Sequence, residues 1–156
     1  MKISYKGDYA IKSLLFLAYK YEEDKGAAKY FQIHEISASQ DIPLKFLEQI
    51  MLILKNAGYL KSLRGKNGGY SIAKKPEDIK LGEILRLIDG PISPIACVSR
   101  SNHNSCNFEE RCVLQPIWAE VGSAISNIVD NITFKDLAKR EYELLTNKND
   151  AIVYQI

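Results

Sequence analysis

Residues 43–74 read PLKFLEQIMLILKNAGYLKSLRGKNGGYSIAK and join a helical pattern directly to an alternating one. Apolar side chains recur every three or four positions over residues 43–56, which predicts an amphipathic helix. Gly58 is a typical residue just past the end of a helix. Residues 59–64 and 69–74 then alternate between apolar and polar side chains, and the glycines between them permit a tight turn. This stretch therefore predicts a helix followed by a β-hairpin.

Two further helical patterns precede this unit, at residues 8–21 and 33–42. Two short helices, a third helix that follows the second at once, and a β-hairpin occur in that order in a winged helix-turn-helix. We predict a mainly α-helical protein with one small hairpin, in which residues 1–80 form a winged helix-turn-helix DNA-binding domain. The predicted inward-facing residues are Ala10, Leu14, Leu17 and Ala18, with Ile11 and Leu15 beside them, then Ile33, Ile36 and Ala38, and finally Leu44, Leu47, Ile50, Met51 and Leu54.

The third helix and the hairpin carry the candidate DNA contacts. Residues 43–80 contain eight Lys or Arg against three Asp or Glu, in a chain whose net charge is +2. Lys and Gln can hydrogen-bond base edges, Glu can accept from cytosine, and an aromatic ring can contact a thymine methyl. Arg64 is the best candidate for insertion into a minor groove. The predicted DNA-binding residues are Lys45, Phe46, Glu48 and Gln49 on the helix and Lys61, Arg64 and Lys66 on the hairpin; the alternative for each is a side chain that is simply solvated.

All three cysteines lie within sixteen residues, CVSRSNHNSCNFEERC at 97–112, after a predicted short helix at 81–89. The spacing is Cys-x8-Cys-x5-Cys, in a segment with neither a helical nor a strand pattern. Three thiols in one loop suit zinc or an iron–sulfur cluster and leave one ligand position open. The odd number argues against a set of structural disulfides. The alternative is a loop, within a connecting segment at 81–112, that carries three inert thiols.

Residues 113–132 have a heptad pattern, VLQPIWAEVGSAISNIVDNI, which predicts a long helix with a continuous apolar stripe. Such a stripe leaves too much apolar surface exposed in a monomer, so we predict a dimerisation helix; the alternative is a helix that folds back on its own domain. Residues 133–145 predict a last amphipathic helix with Thr133 as its cap, and the tail at 146–156 has no predicted structure. The stripe comprises Leu114, Trp118, Val121, Ile125, Ile128 and Ile132, widened by Ile117, Ala124 and Val129.

Composition and motifs disfavour several other classes of protein. The N-terminus does not have the pattern of a signal peptide, and no apolar run approaches the length needed to span a bilayer. We therefore expect a cytoplasmic protein, in which thiols stay reduced. The glycine run GKNGGY does not match a nucleotide-binding loop, and no recognisable set of catalytic residues is present. We expect that the protein is not an enzyme.

The segments KISYKGDYAIKSLLFLA and PLKFLEQIMLILKNAGYLKSLRGKNGGYSIAKKPEDIKLGEILRLIDG, followed by the three-cysteine loop and a long helix, resemble the Rrf2 family of bacterial transcription regulators. The likeness extends to about residue 140. Members of this family include IscR, NsrR and CymR. The resemblance implies a homodimer that binds DNA and, in some members, carries a 2Fe-2S or 4Fe-4S cluster whose state changes DNA affinity.

The resemblance also implies a set of cluster ligands. Cys97, Cys106 and Cys112 match the ligand cysteines, while Gln115 stands where IscR-like members have a histidine. Asp8 stands where NsrR-like members have an acidic ligand that reaches the cluster of the partner subunit, so the pattern is closer to NsrR-like members. The alternative role of Asp8 is to cap the first helix. A further possible ligand in the loop is His103.

Three functions remain open from the sequence. The first is a DNA-binding regulator that senses redox state, nitric oxide or iron–sulfur status through a cysteine-ligated cluster. The second is a regulator without a cluster, which uses its cysteines as a thiol switch or responds to a partner protein as CymR-like members do. The third is an iron–sulfur electron carrier, which would not need a basic hairpin.

Overall fold

The computed structural model describes residues 3–99 and 102–153, with side chains described to residue 147. Within these ranges the protein is mainly helical with one two-stranded antiparallel sheet, as the sequence predicts. None of the described helices is both long and apolar enough to cross a membrane. The elements are α1 (Tyr5–Glu23), α2 (Ile33–Gln40), α3 (Leu44–Asn56), β1 (Leu60–Leu63), β2 (Gly69–Ile72), α4 (Leu81–Asp89), α5 (Gln115–Val129) and α6 (Phe134–Val153).

Helix α1 lies at the centre of the core and packs against α3, α4 and α6. Its predicted inward face is buried, and so are most of the apolar positions predicted for α3. Ala38 was predicted to face inward but is exposed; Ile36 is the residue of α2 that is fully buried. In a helix of only two turns, the small Ala38 side chain contributes little to burial and can face solvent. The main core includes Ala10, Leu14, Leu17, Ala18, Ile36, Leu47, Ile50, Met51, Leu54, Ile79, Ile84 and Phe134.

Helix α1 begins three residues earlier than predicted, and Asp8 does not cap it. Ser4 is the N-cap, and its hydroxyl accepts a hydrogen bond from the Gly7 amide at 3.0 Å. Asp8 lies in the first turn, where a carboxylate still complements the helix dipole. Ser4 is itself held by the Asp89 carboxylate at the end of α4, which accepts from the Ser4 amide at 3.0 Å and from its hydroxyl. The start of α1 is thereby tied to the end of α4.

Helix α5 is joined to α4 by a bidentate ion pair. The Arg86 guanidinium donates to the two Asp130 carboxylate oxygens at 2.6 and 2.8 Å. This contact lowers the pKa of Asp130 below its ordinary value. A Cβ at Gly82 would lie 2.0 Å from the Asp130 oxygen, so a larger residue there would displace the side chains of this ion pair. The ion pair fixes the C-terminal end of α5 against the rest of the domain.

The last two helices differ in length from the prediction. Helix α5 is shorter than 113–132, whereas α6 continues past residue 145 to Val153. Thr133 and Asp136 form a reciprocal cap at the start of α6: the Thr133 hydroxyl accepts from the Asp136 amide at 3.1 Å, and the Asp136 carboxylate accepts from the Thr133 amide at 2.9 Å. Phe134, directly after the cap, is fully buried in the main core. Residues 154–156 of the predicted tail lie outside the described residues.

Candidate nucleic-acid interface and cysteine loop

Helix α3 separates a buried face from a polar one. Lys45, Phe46, Glu48 and Gln49 are all exposed, as the apolar periodicity requires, and Phe46 retains 58% of its surface. Exposure of an aromatic ring to water is unfavourable, so burial of the Phe46 ring against another molecule would be favourable. These four side chains therefore form a continuous surface at the N-terminal half of α3, which is the part of a recognition helix that contacts base edges.

The hairpin pairs Leu60 with Ile72 and Leu63 with Gly69. The cations Lys61, Arg64 and Lys66 are all exposed on it. Lys61 is directed toward an aromatic ring, with its Nζ 5.8 Å from the centroid of Tyr30. The hairpin thus presents Arg64 and Lys66 on its narrow turn and Lys61 on β1, with the geometry of the wing in a winged helix.

The wing is fixed to the segment that enters α2. The backbone of Tyr70 exchanges two hydrogen bonds with that of Phe31, at 2.8 and 2.9 Å, and the Gln32 side chain donates to the Lys66 carbonyl at 3.3 Å. At Gly69 the φ angle is +147°, and a Cβ there would lie 2.2 Å from the Phe31 carbonyl oxygen. The double-glycine turn therefore lets the wing approach the helix-turn-helix closely enough for both to face one ligand.

The cysteine loop is joined to α5 at its first cysteine. Cys97 lies in a short 3-10 turn, Ala96–Val98, that packs against α5. Cys97 and Cys112 are half-buried and Cys106 is exposed, and none of the three forms a disulfide. Residues 100 and 101 of the loop lie outside the described residues. The loop therefore starts at the helix predicted to join two copies and leaves its middle cysteine accessible.

Glu109 connects two of the residues considered as a fourth ligand. One of its carboxylate oxygens lies 2.8 Å from His103 Nε2 and accepts from the Gln115 side-chain amide at 3.1 Å. Asp8 lies elsewhere, on α1, where it forms an ion pair with Lys12 at 2.7 Å that raises the Lys12 pKa. Sequence reasoning missed Glu109, because nothing in the pattern distinguishes it from Glu110.

The three thiols are chemically suitable ligands for an iron–sulfur cluster, but the structure does not bring them together around a common centre. Three unbridged cysteines supply the sulfur ligands that such a cluster requires. Among residues 3–99 and 102–147, however, no three His, Cys, Asp or Glu side chains are grouped closely enough to hold a metal ion. The described conformation therefore does not fit a bound cluster, and the loop would have to close to form the site.

One side of α5 is left uncovered. Val129 is buried and Ile125 half-buried against Leu85 and Ile92, which attaches the C-terminal half of the helix to the domain. Toward the N-terminus the stripe has no such cover. The exposed large apolar residues of the stripe are Leu114, Ile117, Trp118, Val121 and Ile128, and Val113 is exposed directly before it.

A helix-turn-helix with an exposed polar face on its second helix, followed by a wing with three cations, defines a winged-helix DNA-binding protein. The chain matches the Rrf2 model, described as an iron-dependent transcriptional regulator, over residues 3–140. The chain belongs to the Rrf2 family of transcriptional regulators.

Individual relatives agree with this membership. An rrf2-like HTH-type transcriptional regulator of Rhodobacter capsulatus is 39% identical over 86% of this chain and 91% of its own length. The structure of CymR, the global cysteine regulator of B. subtilis, has a TM-score of 0.74 at 31% identity and covers 90% of this chain and 98% of CymR. That of T. potens IscR has a TM-score of 0.71 at 30% identity, over 92% of this chain and 90% of IscR.

Proposed function

We propose that the protein is a homodimeric transcription regulator that binds a roughly palindromic DNA operator and senses redox state, nitric oxide or iron–sulfur status through its cysteine loop. The observation that supports it most strongly is the pairing of the exposed face of α3 with a wing anchored beside it through Phe31 and Tyr70. Both surfaces face away from the core. Contacts from α3 would select the sequence, and Lys61, Arg64 and Lys66 would hold phosphates or enter a minor groove.

The uncovered side of α5 supports the homodimer. Four large apolar side chains exposed along α5, and two more directly before it, are costly in water, and a second copy of the same stripe would cover them by self-complementary packing. Two copies related by a two-fold axis place two recognition helices on one face of the duplex. A roughly palindromic operator follows from that symmetry.

The position of Cys97 supports a link between sensing and DNA binding. Because its turn packs against α5, a rearrangement of the loop changes what the dimer helix contacts. Cys97, Cys106 and Cys112 would hold the 2Fe-2S or 4Fe-4S cluster, with Asp8 of a second copy, His103 or Gln115 as the candidates for a fourth position. Bound there, the cluster would supply the group that reacts with oxidants or nitric oxide.

Anaerobic purification tests the cluster directly. We expect iron and acid-labile sulfide in the wild-type protein, together with visible absorption. Cys106→Ala should lose both, and Ser105→Ala, at the exposed neighbouring position, should keep them. A duplex-binding assay on the cluster-loaded and cluster-free proteins then compares their affinities. Colourless wild-type protein without iron or sulfide after anaerobic purification contradicts the cluster.

A second candidate keeps the DNA binding and replaces the cluster by a thiol switch or a partner protein. Two observations favour it: the cysteines are not grouped in the described conformation, and CymR is among the most similar solved structures. Under this candidate, oxidation of iron-free protein should change DNA affinity, and Cys106→Ser should abolish the change. Equal affinities of oxidised and reduced iron-free protein contradict the thiol switch.

A further inference from the structure

Three aromatic rings form a row from the start of α1 to the start of α3. The ring centroids of Tyr5 and Tyr9 are 6.4 Å apart, and those of Tyr9 and Phe46 are 6.5 Å apart. The two outer rings are exposed, Tyr5 at 82% and Phe46 at 58%, whereas Tyr9 is half-buried against the main core. We call Tyr5, Tyr9 and Phe46 the aromatic row.

The row begins within the candidate DNA interface. Phe46 lies beside Lys45 in the first turn of α3, on the face where base contacts are expected. At the other end of the row, Lys6 is exposed next to Tyr5. The one carboxylate in this turn of α1, that of Asp8, is paired with Lys12. Lys45 at one end of the row and Lys6 at the other are the cations that a polyanion would contact, while the Glu48 and Asp89 carboxylates nearby limit the local excess of positive charge.

We propose that the aromatic row extends the DNA-binding surface beyond α3, with Tyr9 as a positioning residue for Phe46 and the Tyr5 hydroxyl as a donor to a backbone phosphate outside the base contacts. The proposal rests on the DNA-binding function proposed above. It adds two residues of α1 to the interface and assigns a different role to each.

Tyr9 is positioned to support the Phe46 ring rather than to contact DNA itself. An exposed phenylalanine on a helix samples several rotamers, and contact with a thymine methyl requires one of them. The tilted Tyr9 ring, held at 53° to that of Phe46, restricts this freedom because Tyr9 is itself packed on the core. Aromatic pairs of this kind contribute roughly 0.5–1.5 kcal/mol beyond buried area. Loss of the support should therefore reduce discrimination between sequences more than it reduces general affinity for DNA.

Tyr5 is positioned to contact the phosphate backbone of DNA. Its ring is the most exposed of the three, and a tyrosine hydroxyl is a good donor to a phosphate oxygen. The aromatic row leads from the start of α3 to the start of α1, so a duplex that extends beyond α3 in this direction would pass Tyr5. A contact there would add affinity without adding sequence preference.

The first experiment measures the role of Tyr9. Two probes are used: a 30-base-pair duplex selected by the wild-type protein from a random pool, and one of mixed sequence. Tyr9→Ala should lower the ratio of the two affinities about three- to tenfold, and Tyr9→Phe should keep it. Tyr21→Ala is the matched control, since Tyr21 is also a half-buried tyrosine of α1 but lies on its last turns.

A double-mutant cycle separates positioning from general damage to the fold. In a Phe46→Ala background, Tyr9→Ala should cause no further loss of discrimination, because the ring that it supports is absent. Equal losses in both backgrounds would overturn the positioning role. If the wild-type protein binds neither duplex, the proposed DNA-binding function itself fails. If it binds and Tyr9→Ala has the same ratio of affinities for the two duplexes, only the role proposed for Tyr9 fails.

The second experiment removes a single hydroxyl. Tyr5→Phe should weaken binding to both duplexes by about the same factor, on the order of fivefold, and Tyr142→Phe, at an exposed site on α6, should not. Tyr5→Phe binding that equals wild type would overturn the phosphate contact. A shift of the monomer–dimer equilibrium in Tyr5→Phe, without a change in DNA affinity per dimer, would show that a second copy covers the row instead and would overturn the proposal.

Discussion

The helix-turn-helix core and helix α5 use similar apolar residues to opposite effect. Around α1, Leu, Ile, Met and Phe side chains are almost completely buried within one chain. Along α5, Ile, Val and Trp side chains remain on the surface, and Val129 is buried where the helix meets α4. The first region is complete in a single chain. The second has the composition of a core without the partner that would complete it.

Polar contacts distinguish the helical domain from the cysteine loop. Those that join α1, α4 and α5 connect distant parts of the chain, as in the Ser4–Asp89 and Arg86–Asp130 contacts. Those of the cysteine loop are local, with Glu109 bonded to His103 and Gln115, each six residues away. Contacts between residues so close in sequence do not tie the loop to the rest of the domain. The loop can therefore rearrange while the DNA-binding unit keeps its shape.

The largest expected effect comes from a truncation in the core. Phe134→Ala removes a fully buried ring from the contact between α6 and α1 and should lower the free energy of unfolding by about 3–5 kcal/mol. Denaturant unfolding measures this value. Trp118→Ala, measured at dilutions where the protein is monomeric, should cost about 1 kcal/mol or less. If the two variants lost the same free energy of unfolding, Trp118 would be as important to the single chain as Phe134, and α5 would not differ from the core.

A charge in the α5 stripe tests what covers it. Val121→Glu places a carboxylate among the exposed apolar residues and should convert the dimer into a monomer, because a buried unpaired charge is costly. Sedimentation velocity measures the change, and DNA affinity should fall with it. Asn127→Glu adds the same charge at an exposed position outside the stripe and should leave the dimer intact. A dimeric Val121→Glu protein would place the interface elsewhere.

Salt dependence tests the basic wing. Each phosphate contact contributes about −0.9 to the slope of log affinity against log salt. Arg64→Ala combined with Lys66→Ala should make that slope shallower by up to about two units if both contact phosphates. Lys139→Ala, an exposed cation of α6, should leave it unchanged. An unaltered slope in the wing variant would exclude the hairpin from the interface.

The smallest expected effect concerns the ion pair that joins α4 to α5. The ion pair lowers the pKa of Asp130 in the folded protein. Its contribution to stability is therefore fully present above the pKa that Asp130 has in the unfolded chain. It is lost as the pH falls through the pKa of Asp130 in the folded protein. Both side chains are more than a third exposed, so the contribution should be about 1 kcal/mol or less. Asp130→Asn should remove this loss of stability below about pH 4. Asp78→Asn, at an exposed site, should retain the wild-type profile.

Periodicity predicted most of the fold because it reports which side chains must be buried. The recognition helix, its outward residues and the hairpin follow from spacing alone. The predicted N-cap of α1 was wrong because Asp8 and Ser4 are both good capping residues. Which of them caps the helix depends on the contact of Ser4 with Asp89, which is distant in sequence. The extension of α6 was missed because residues 146–153, TNKNDAIV, lack a clear apolar stripe.

The candidate site was less predictable than the fold. Cysteine spacing identifies a possible ligand set but not whether the loop is closed around it, which depends on contacts such as those of Glu109. The role proposed for Tyr9 depends on a ring from another helix, so the sequence around Tyr9 does not indicate it. Side-chain contacts that no spacing pattern reports therefore decide the features that the sequence left open.

Sedimentation equilibrium of the wild-type protein, alone and with a duplex selected from a random pool, tests the central claim most directly. The chain has a mass of 17.7 kDa. We predict twice that mass for the free protein and two chains on each duplex. A single chain in solution with no affinity for the selected duplex would contradict the account.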